Sequence, residues 1–328
     1  MKTTLLALAA FALAATPASA MTIAKRIPGP DGPWDYATVD SEGHRLLIAR
    51  GDGVQTVDLT TGVVTPTFVP GQRVHQAVIL PGTGMGLSTN GTTNTVTLFD
   101  ARTGQIKATI PVGQKPDAAI WDATTGRAYI MNGNDGTISI LDPKAMRVTG
   151  SIAVGGKLEF AATDGAGRLY VNVEDKNELA QIDLKTRKVT RRTKLAGCDE
   201  PSGLAFTHQG TLIAACANGV AKAMDAETGR MLPDLAIGPR PDAVLYDGAH
   251  DRAYIPSGGD GTLSVIDTTA ATPRKIASVA TQLGARTGAI DPATGTIYLP
   301  TARYAPKQAT EERPQPVPGT FEVLVLSN

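Results

Sequence analysis

The chain has 328 residues, 42% of them hydrophobic, with 35 Gly and 22 Pro, and its 31 basic side chains balance 31 acidic ones. That length and apolar content are enough to bury a substantial core, while zero formal net charge excludes a global field drawing the chain to nucleic acid or an anionic membrane. Abundant Gly, Pro, Thr and Val with few helical patterns predict many short strands joined by tight turns, an all-β protein.

Residues 1–20 read as an export signal: Lys2 supplies the positive start, residues 5–15 an apolar run, and Ala18-Ser19-Ala20 a small-residue cleavage site. The run is shorter than the roughly 20 residues that span a bilayer. The mature chain is therefore expected to begin near Met21 and to work in an oxidising compartment outside the cytoplasm, a bacterial periplasm. No Cys follows the cleavage site, which argues against a lipoprotein, and no later segment is apolar enough to span a membrane. A monomer is expected.

Residues 112–142 are the clearest copy of a recurring unit: a Gly turn, a small-residue strand, a hairpin turn at 122–126, a second strand and a third that closes at Asp142. Closing aspartates recur at Asp58, Asp100, Asp142, Asp183, Asp225 and Asp267, 42 residues apart except for one spacing of 41. Glycines entering the small-residue strands keep the same period at Gly71, Gly113, Gly155, Gly197 and Gly238. A period of about 40 to 45 residues holding four short strands marks a β-propeller blade. Segments such as Thr95-Val96-Thr97-Leu98 alternate with period two, as strands do.

Small residues dominate the predicted innermost strands, as in Ala118-Ala119-Ile120 and Gly203-Leu204-Ala205, because blades converge on a central axis. Where Thr-Gly follows a closing Asp, as at Gly62, Gly104 and Gly229, the carboxylate caps the turn and the Gly takes a left-handed backbone. Seven small-residue strands predict a seven-bladed β-propeller of four-stranded blades. The last blade runs out of chain one strand short, so residues 22–28 are predicted to complete it beside the C-terminal strand and close the ring.

The unit resembles the YVTN-type β-propeller repeat of YncE-like secreted proteins. The residues that carry the likeness are Tyr129-Ile130-Met131-Asn132 followed by Gly136-Thr137-Ile138-Ser139-Ile140-Leu141-Asp142, with Tyr170-Val171-Asn172 and Tyr254-Ile255-Pro256. The resemblance covers essentially the whole mature chain and implies an architecture rather than one activity. Related propellers include ligand binders, a nucleic-acid binder, lactonases and quinone-dependent dehydrogenases.

In a propeller, the loops entering the innermost strands share one face with the loops joining second to third strands. Entry positions read Trp34, His75, Asp117, Glu159, Ser202, Asp242 and Arg286, and second-strand ends read Arg50, Asn90, Asn132, Val173, Cys216, Ser257 and Thr301. Both rings are expected to surround one polar pocket at the channel mouth. A bland reading has them only solvate the channel and hold its turns. Asp117 and Asp242 both follow Pro and serve the repeat as much as a site, whereas His75 and Glu159 break the pattern. Arg50 and Arg286 are bidentate donors, so a small polar or anionic ligand is the sharpest binding expectation.

His44, His208 and His250 fall in turns of the opposite face, leaving His75 alone, which argues against a zinc or copper centre. Asp117, Glu159 and Asp242 form a candidate calcium set. No pattern specifies a quinone, and no cofactor is firmly indicated. Cys198 and Cys216 predict a disulfide in an exported chain, a free or redox-active pair being the alternative. Residues 302–320, Pro-rich and charged, interrupt the last blade; they read as a disordered linker or as a lid that brings Arg303 and Tyr304 to the rim.

The leading functional expectation is a periplasmic binding or interaction module for a small polar ligand or a partner protein. One alternative is a lactonase-like hydrolase or a quinone-dependent oxidoreductase at the same mouth. Glu159 or Asp117 would then act as base, Arg286 or Arg50 would stabilise negative charge, and His75 would relay protons. Another is single-stranded nucleic-acid binding through Arg50, Arg73, Lys115, Lys157 and Arg240, against which net neutrality and 5% aromatics argue.

Overall fold

The computed structural model describes residues 21–306 and 314–327, so the expected export signal lies outside the described residues. Its 28 strands form seven antiparallel sheets of four. Six blades are built in chain order, as in the third, where Pro116–Asp122, Arg127–Asn132, Thr137–Asp142 and Arg147–Ala153 run from axis to rim. The innermost strands of the others are Trp34–Asp40, Val74–Leu80, Leu158–Thr163, Pro201–Phe206, Leu245–Asp247 and Ala289–Ile290.

The seventh blade is closed from the other end of the chain, as the sequence predicts. Thr22–Pro28 pairs antiparallel with Glu322–Ser327, Thr22 opposite Ser327 and Pro28 opposite Glu322. Joining the two ends in this way covers the edge the C-terminal strand would otherwise present.

Turn chemistry fixes the hairpins. Asp58 Oδ1 accepts the N–H groups of Thr60 and Thr61 at 2.9 and 2.7 Å and the Thr61 hydroxyl at 2.9 Å, and Gly62 follows at φ +78°. Gly104 and Gly229 take the same role at +74°. After Asp142 and Asp183 the left-handed position falls instead to Met146 and Arg187, at +48° and +59°. Hydrogen bonds from the turn threonine hold Asp58, Asp100, Asp183 and Asp225 below the usual carboxylate range.

The core lies between blades rather than inside one. Val78, Leu87 and Leu98 of the second blade pack with Ala119, Ile130 and Leu141 of the third, and each large side chain buried there contributes about 1.5–3 kcal/mol. The arms of the long interruption are paired rather than loose: Val317 N–H donates to Arg303 O at 2.7 Å and Ala305 N–H to Gln315 O at 3.0 Å. Residues 307–313, the rest of that expected linker or lid, lie outside the described residues.

Cys198 and Cys216 form the disulfide, both fully buried, tying the loop that enters the fifth blade to the end of that blade's second strand. The bond closes a loop of sequence separation 18. Replacing both cysteines by Ala is expected to cost about 3 kcal/mol in urea unfolding; an unchanged midpoint would show that neighbouring blades hold this loop without the bond.

Candidate functional site

In five of the innermost strands the ladder skips a step. Asp35-Tyr36 stand opposite the single residue Ala49, His75-Gln76 opposite Thr89, Asp117-Ala118 opposite Met131, Glu159-Phe160 opposite Asn172, and Ser202-Gly203 opposite Ala215. Each surplus residue is a β-bulge, which bends the strand and re-aims its side chains. Backbone carbonyls at the strand starts, three of them within bulges, find partners on a neighbouring blade. Thr89 Oγ1 donates to Asp117 O at 2.8 Å, Asn172 Nδ2 to Ser202 O at 2.9 Å, Ser202 Oγ to Pro241 O at 3.1 Å, and Thr287 Oγ1 to Asp35 O at 3.0 Å.

The first residue of each bulge belongs to a ring at the strand starts: Asp35, His75, Asp117, Glu159 and Ser202, continued by Asp242 and Arg286. Asp35 holds the place the sequence reading assigned to Trp34. The loop entering the first blade is one residue longer than the one entering the third, so Trp34 sits a step earlier, opposite Arg50 and 5.2 Å from the Phe321 ring.

The second-strand ends do not join this ring. Arg50 is buried, and its guanidinium donates to the carbonyls of Pro30, Gly32 and Pro33 and to Gln55 Oε1 at 2.6 Å while lying over the Phe321 ring. Asn90 donates to the hydroxyls of Thr95 and Thr97, and Asn132 to those of Thr137 and Ser139. These residues brace their own blades, so Arg50 is no donor for an anionic ligand or for a nucleic-acid patch.

Around the ring, charges meet in separate groups. His75 Nδ1 lies 2.7 Å from Asp35 Oδ2 and 3.5 Å from Asp117 Oδ1, and Lys115 Nζ is 3.7 Å from the other Asp117 oxygen. Lys157 Nζ lies 3.2 Å from Glu159 and also binds Glu174. Arg286 Nε is 3.3 Å from Asp242. Asp117, Glu159 and Asp242, expected together as a calcium set, are thus distributed among three groups.

Five carboxylates here face three fixed cations and one imidazole, so the buried acids outnumber their partners. Burial pushes Asp35, Asp117 and Asp242 up, against the pull of His75 or Arg286. Glu159 is raised too, to about 10, by burial, its hydrogen bond with Glu174 and the charge of Asp117. Glu174, despite burial, is held low by bonds from Glu159 and Lys157, so this pair shares one proton and Glu159 keeps it. His75 is pulled down by burial but ends raised, because its bond to Asp35 and the charge of Asp117 outweigh that cost.

Asp35, His75 and Asp117 offer three ligand atoms within 4.8 Å of one another, a set that suits a divalent metal ion. Immediately past the ring, Tyr36 and Phe160 meet from the first and fourth blades, ring centroids 5.2 Å apart. Burial and the four ring carboxylates push the Tyr36 phenol well above its ordinary range. Tyr304 packs on Gly284, two residues before Arg286. Arg303 is exposed, with its backbone N–H on the Thr320 hydroxyl at 3.0 Å.

Asp35, Tyr36 and Glu174 escaped the sequence reading. The two-residue column Asp35-Tyr36, His75-Gln76, Asp117-Ala118, Glu159-Phe160 is visible in the sequence once a bulge is allowed for, and would have found the first two. Glu174 sits in a second-to-third-strand loop with no repeat marker.

No protein-family model matches this chain, and no curated protein matches it either. Among solved structures, Kuenenia stuttgartiensis hydrazine synthase superposes with a TM-score of 0.68 at 17% identity, over 83% of this chain and 92% of that one. A chain from the crystal structure of the mitotic checkpoint complex gives 0.76 at 13% identity, over 91% and 96%. Likeness at these identities supports the propeller fold and nothing finer.

The proton on Glu159 sets a direction for stability. The folded chain keeps it up to about pH 10, whereas the unfolded chain releases it near 4.5, so this residue's contribution is intact below pH 4.5 and is lost as pH rises towards 10. Glu159→Gln, which keeps a donor for Glu174, is expected to melt higher than the wild type at pH 8, with the gap closing towards pH 5. A gap that widens on acidification would show Glu159 ionised in the folded state.

Proposed function

We propose that this chain is an exported binding module of the YVTN, YncE-like kind, working in the periplasm, and that its ring coordinates a divalent transition metal through Asp35, His75 and Asp117. Three protein ligands leave coordination positions free for a small polar ligand. The observation that carries this reading is the convergence of those three ligand atoms, from three consecutive blades, within 4.8 Å. Export is supported by residues 1–20 and by the disulfide, which suits an oxidising compartment.

The ring's charge supports a cation before an anion. Each basic group already faces a carboxylate, and acids remain in excess. One imidazole nitrogen with two carboxylates favours zinc or manganese over calcium, which prefers six to eight oxygens. A metal held there would itself supply the positive charge that Arg50 does not. The hydrolase reading rests on Glu159 of the same ring, which burial and neighbouring acids push up as a general acid requires, and lactone turnover by the metal-loaded protein is its test.

Chelator-treated mature protein titrated with zinc, manganese or calcium in a calorimeter is expected to bind one transition-metal ion and to gain thermal stability. Asp117→Asn and His75→Ala should each weaken binding at least about tenfold while remaining folded. Absence of both heat and stabilisation would overturn the metal reading.

A further inference from the structure

Arg286 stands in the ring between Asp242 of the sixth blade and Asp35 of the first, so it adjoins the three metal-ligand candidates. Its backbone is fixed on both sides: Asp242 N–H donates to Arg286 O at 3.1 Å, and the hydroxyl of the next residue, Thr287, donates to Asp35 O at 3.0 Å. The loop before it is braced as well, Gly284 N–H donating to Gly258 O and the Thr301 hydroxyl to Leu283 O, both at 2.8 Å. A guanidinium on such a support is positioned before any ligand arrives.

Asp242 engages only part of that guanidinium. Its Oδ2 lies 3.3 Å from Nε, while Nη1 and Nη2 have no hydrogen-bond partner among the described residues. The side chain stays 43% exposed, in contrast to Arg50, whose three nitrogens all bond within the protein. The charge of Asp242 first, and that of Asp35 after it, hold Arg286 above its ordinary range against burial. Tyr304 reaches the same place from the long loop of the seventh blade. Its ring lies so close to Gly284 that a Cβ there would strike it, and a bridge to Pro316 pins its backbone. The Tyr304 hydroxyl has no hydrogen-bond partner among the described residues, and burial raises the phenol more than the Arg286 charge lowers it, so it stays a donor.

Given a metal at Asp35, His75 and Asp117, on which this reading rests, we propose that Arg286 and Tyr304 anchor the carboxylate of a small α-hydroxy acid whose carboxylate and hydroxyl oxygens complete the metal's coordination. A planar carboxylate fits the free end of a guanidinium, where two parallel N–H groups meet two oxygens. Three protein ligands leave room on the ion for both oxygens of the acid. Charge selects a monoanion. The five carboxylates exceed the three fixed cations by two, and a divalent ion cancels that excess. A phosphate dianion would restore it beside Asp35 and Asp242.

Mandelate is a suitable probe for the mature chain, read by calorimetry on the zinc-loaded protein and by the visible bands of the cobalt-loaded protein, with metal uptake measured first. One-to-one binding that shifts the cobalt bands is expected, with none to chelator-treated protein; mandelamide, which lacks the charge, should bind at least about tenfold more weakly. Arg286→Gln should weaken mandelate at least about tenfold without weakening the metal, because losing one cation does not disfavour another. Tyr304→Phe should weaken mandelate about three- to tenfold. Should Arg286→Gln fail to fold, Arg286→Lys keeps the charge beside Asp242 but loses the fork, and should weaken mandelate about three- to tenfold. Metal uptake without mandelate binding, mandelate binding equal in the wild type and the Arg286 variants, or inorganic phosphate bound more tightly than mandelate would overturn the proposal and leave the metal reading standing. Absence of metal uptake would overturn both.

Discussion

The molecule depends on how seven strands can share one axis. A regular ladder would keep alternate side chains on the two faces of each blade, where the neighbouring blades' apolar surfaces already meet. The bulge adds one residue to the inner strand and releases two side chains towards the axis without disturbing the pairs on either side, as between Pro116–Asn132 and Ala119–Ile130. The backbone groups it frees would be costly if left bare. Thr89, Asn172 and Thr287 take several of them, each reaching across to an adjacent blade. The same bonds that satisfy the bulges therefore lock blade to blade.

Gathering charge at that axis opposes stability. Burial raises Asp35, Asp117, Glu159 and Asp242 together, which marks a site whose carboxylates lack enough partners. A purely structural ring could have used Ser or Thr throughout, as Ser202 does, and avoided the repulsion. The interblade cores, with side chains such as Leu47, Ile130 and Tyr170 wholly buried, supply the stability against which the strained ring is held. Strain of this kind is common where a protein keeps groups ready for a ligand.

The architecture was legible because a repeat states its rule many times. The closing Asp and the entering Gly recur along the chain, so blade number, strand order and even the N-terminal closure followed from spacing. The ring was legible at every blade but the first, where one extra residue in the entry loop shifts the register and Asp35 replaces Trp34. The second-strand ends misled for a different reason. Spacing tells which residues share a level but not which way a side chain turns, and Arg50, Asn90 and Asn132 turn into their own blades to satisfy backbone and hydroxyl groups. Contact between Tyr36 and Phe160 joins blades three apart in sequence, a relation that exists only after the ring closes.

That contact explains how one channel can hold two chemistries. Consecutive residues of a bulge occupy successive levels: Asp35 lies in the charged ring and Tyr36 behind it, Glu159 with Lys157 and Phe160 against Tyr36. In the first and fourth blades an acidic first residue and an aromatic second one thus sort themselves along the axis without a change in blade structure. The aromatic pair stands at the level behind the carboxylates, and the Tyr36 phenol stays neutral because it is buried beside them. Either level can vary by substitution at one bulge residue while the flanking ladder pairs remain.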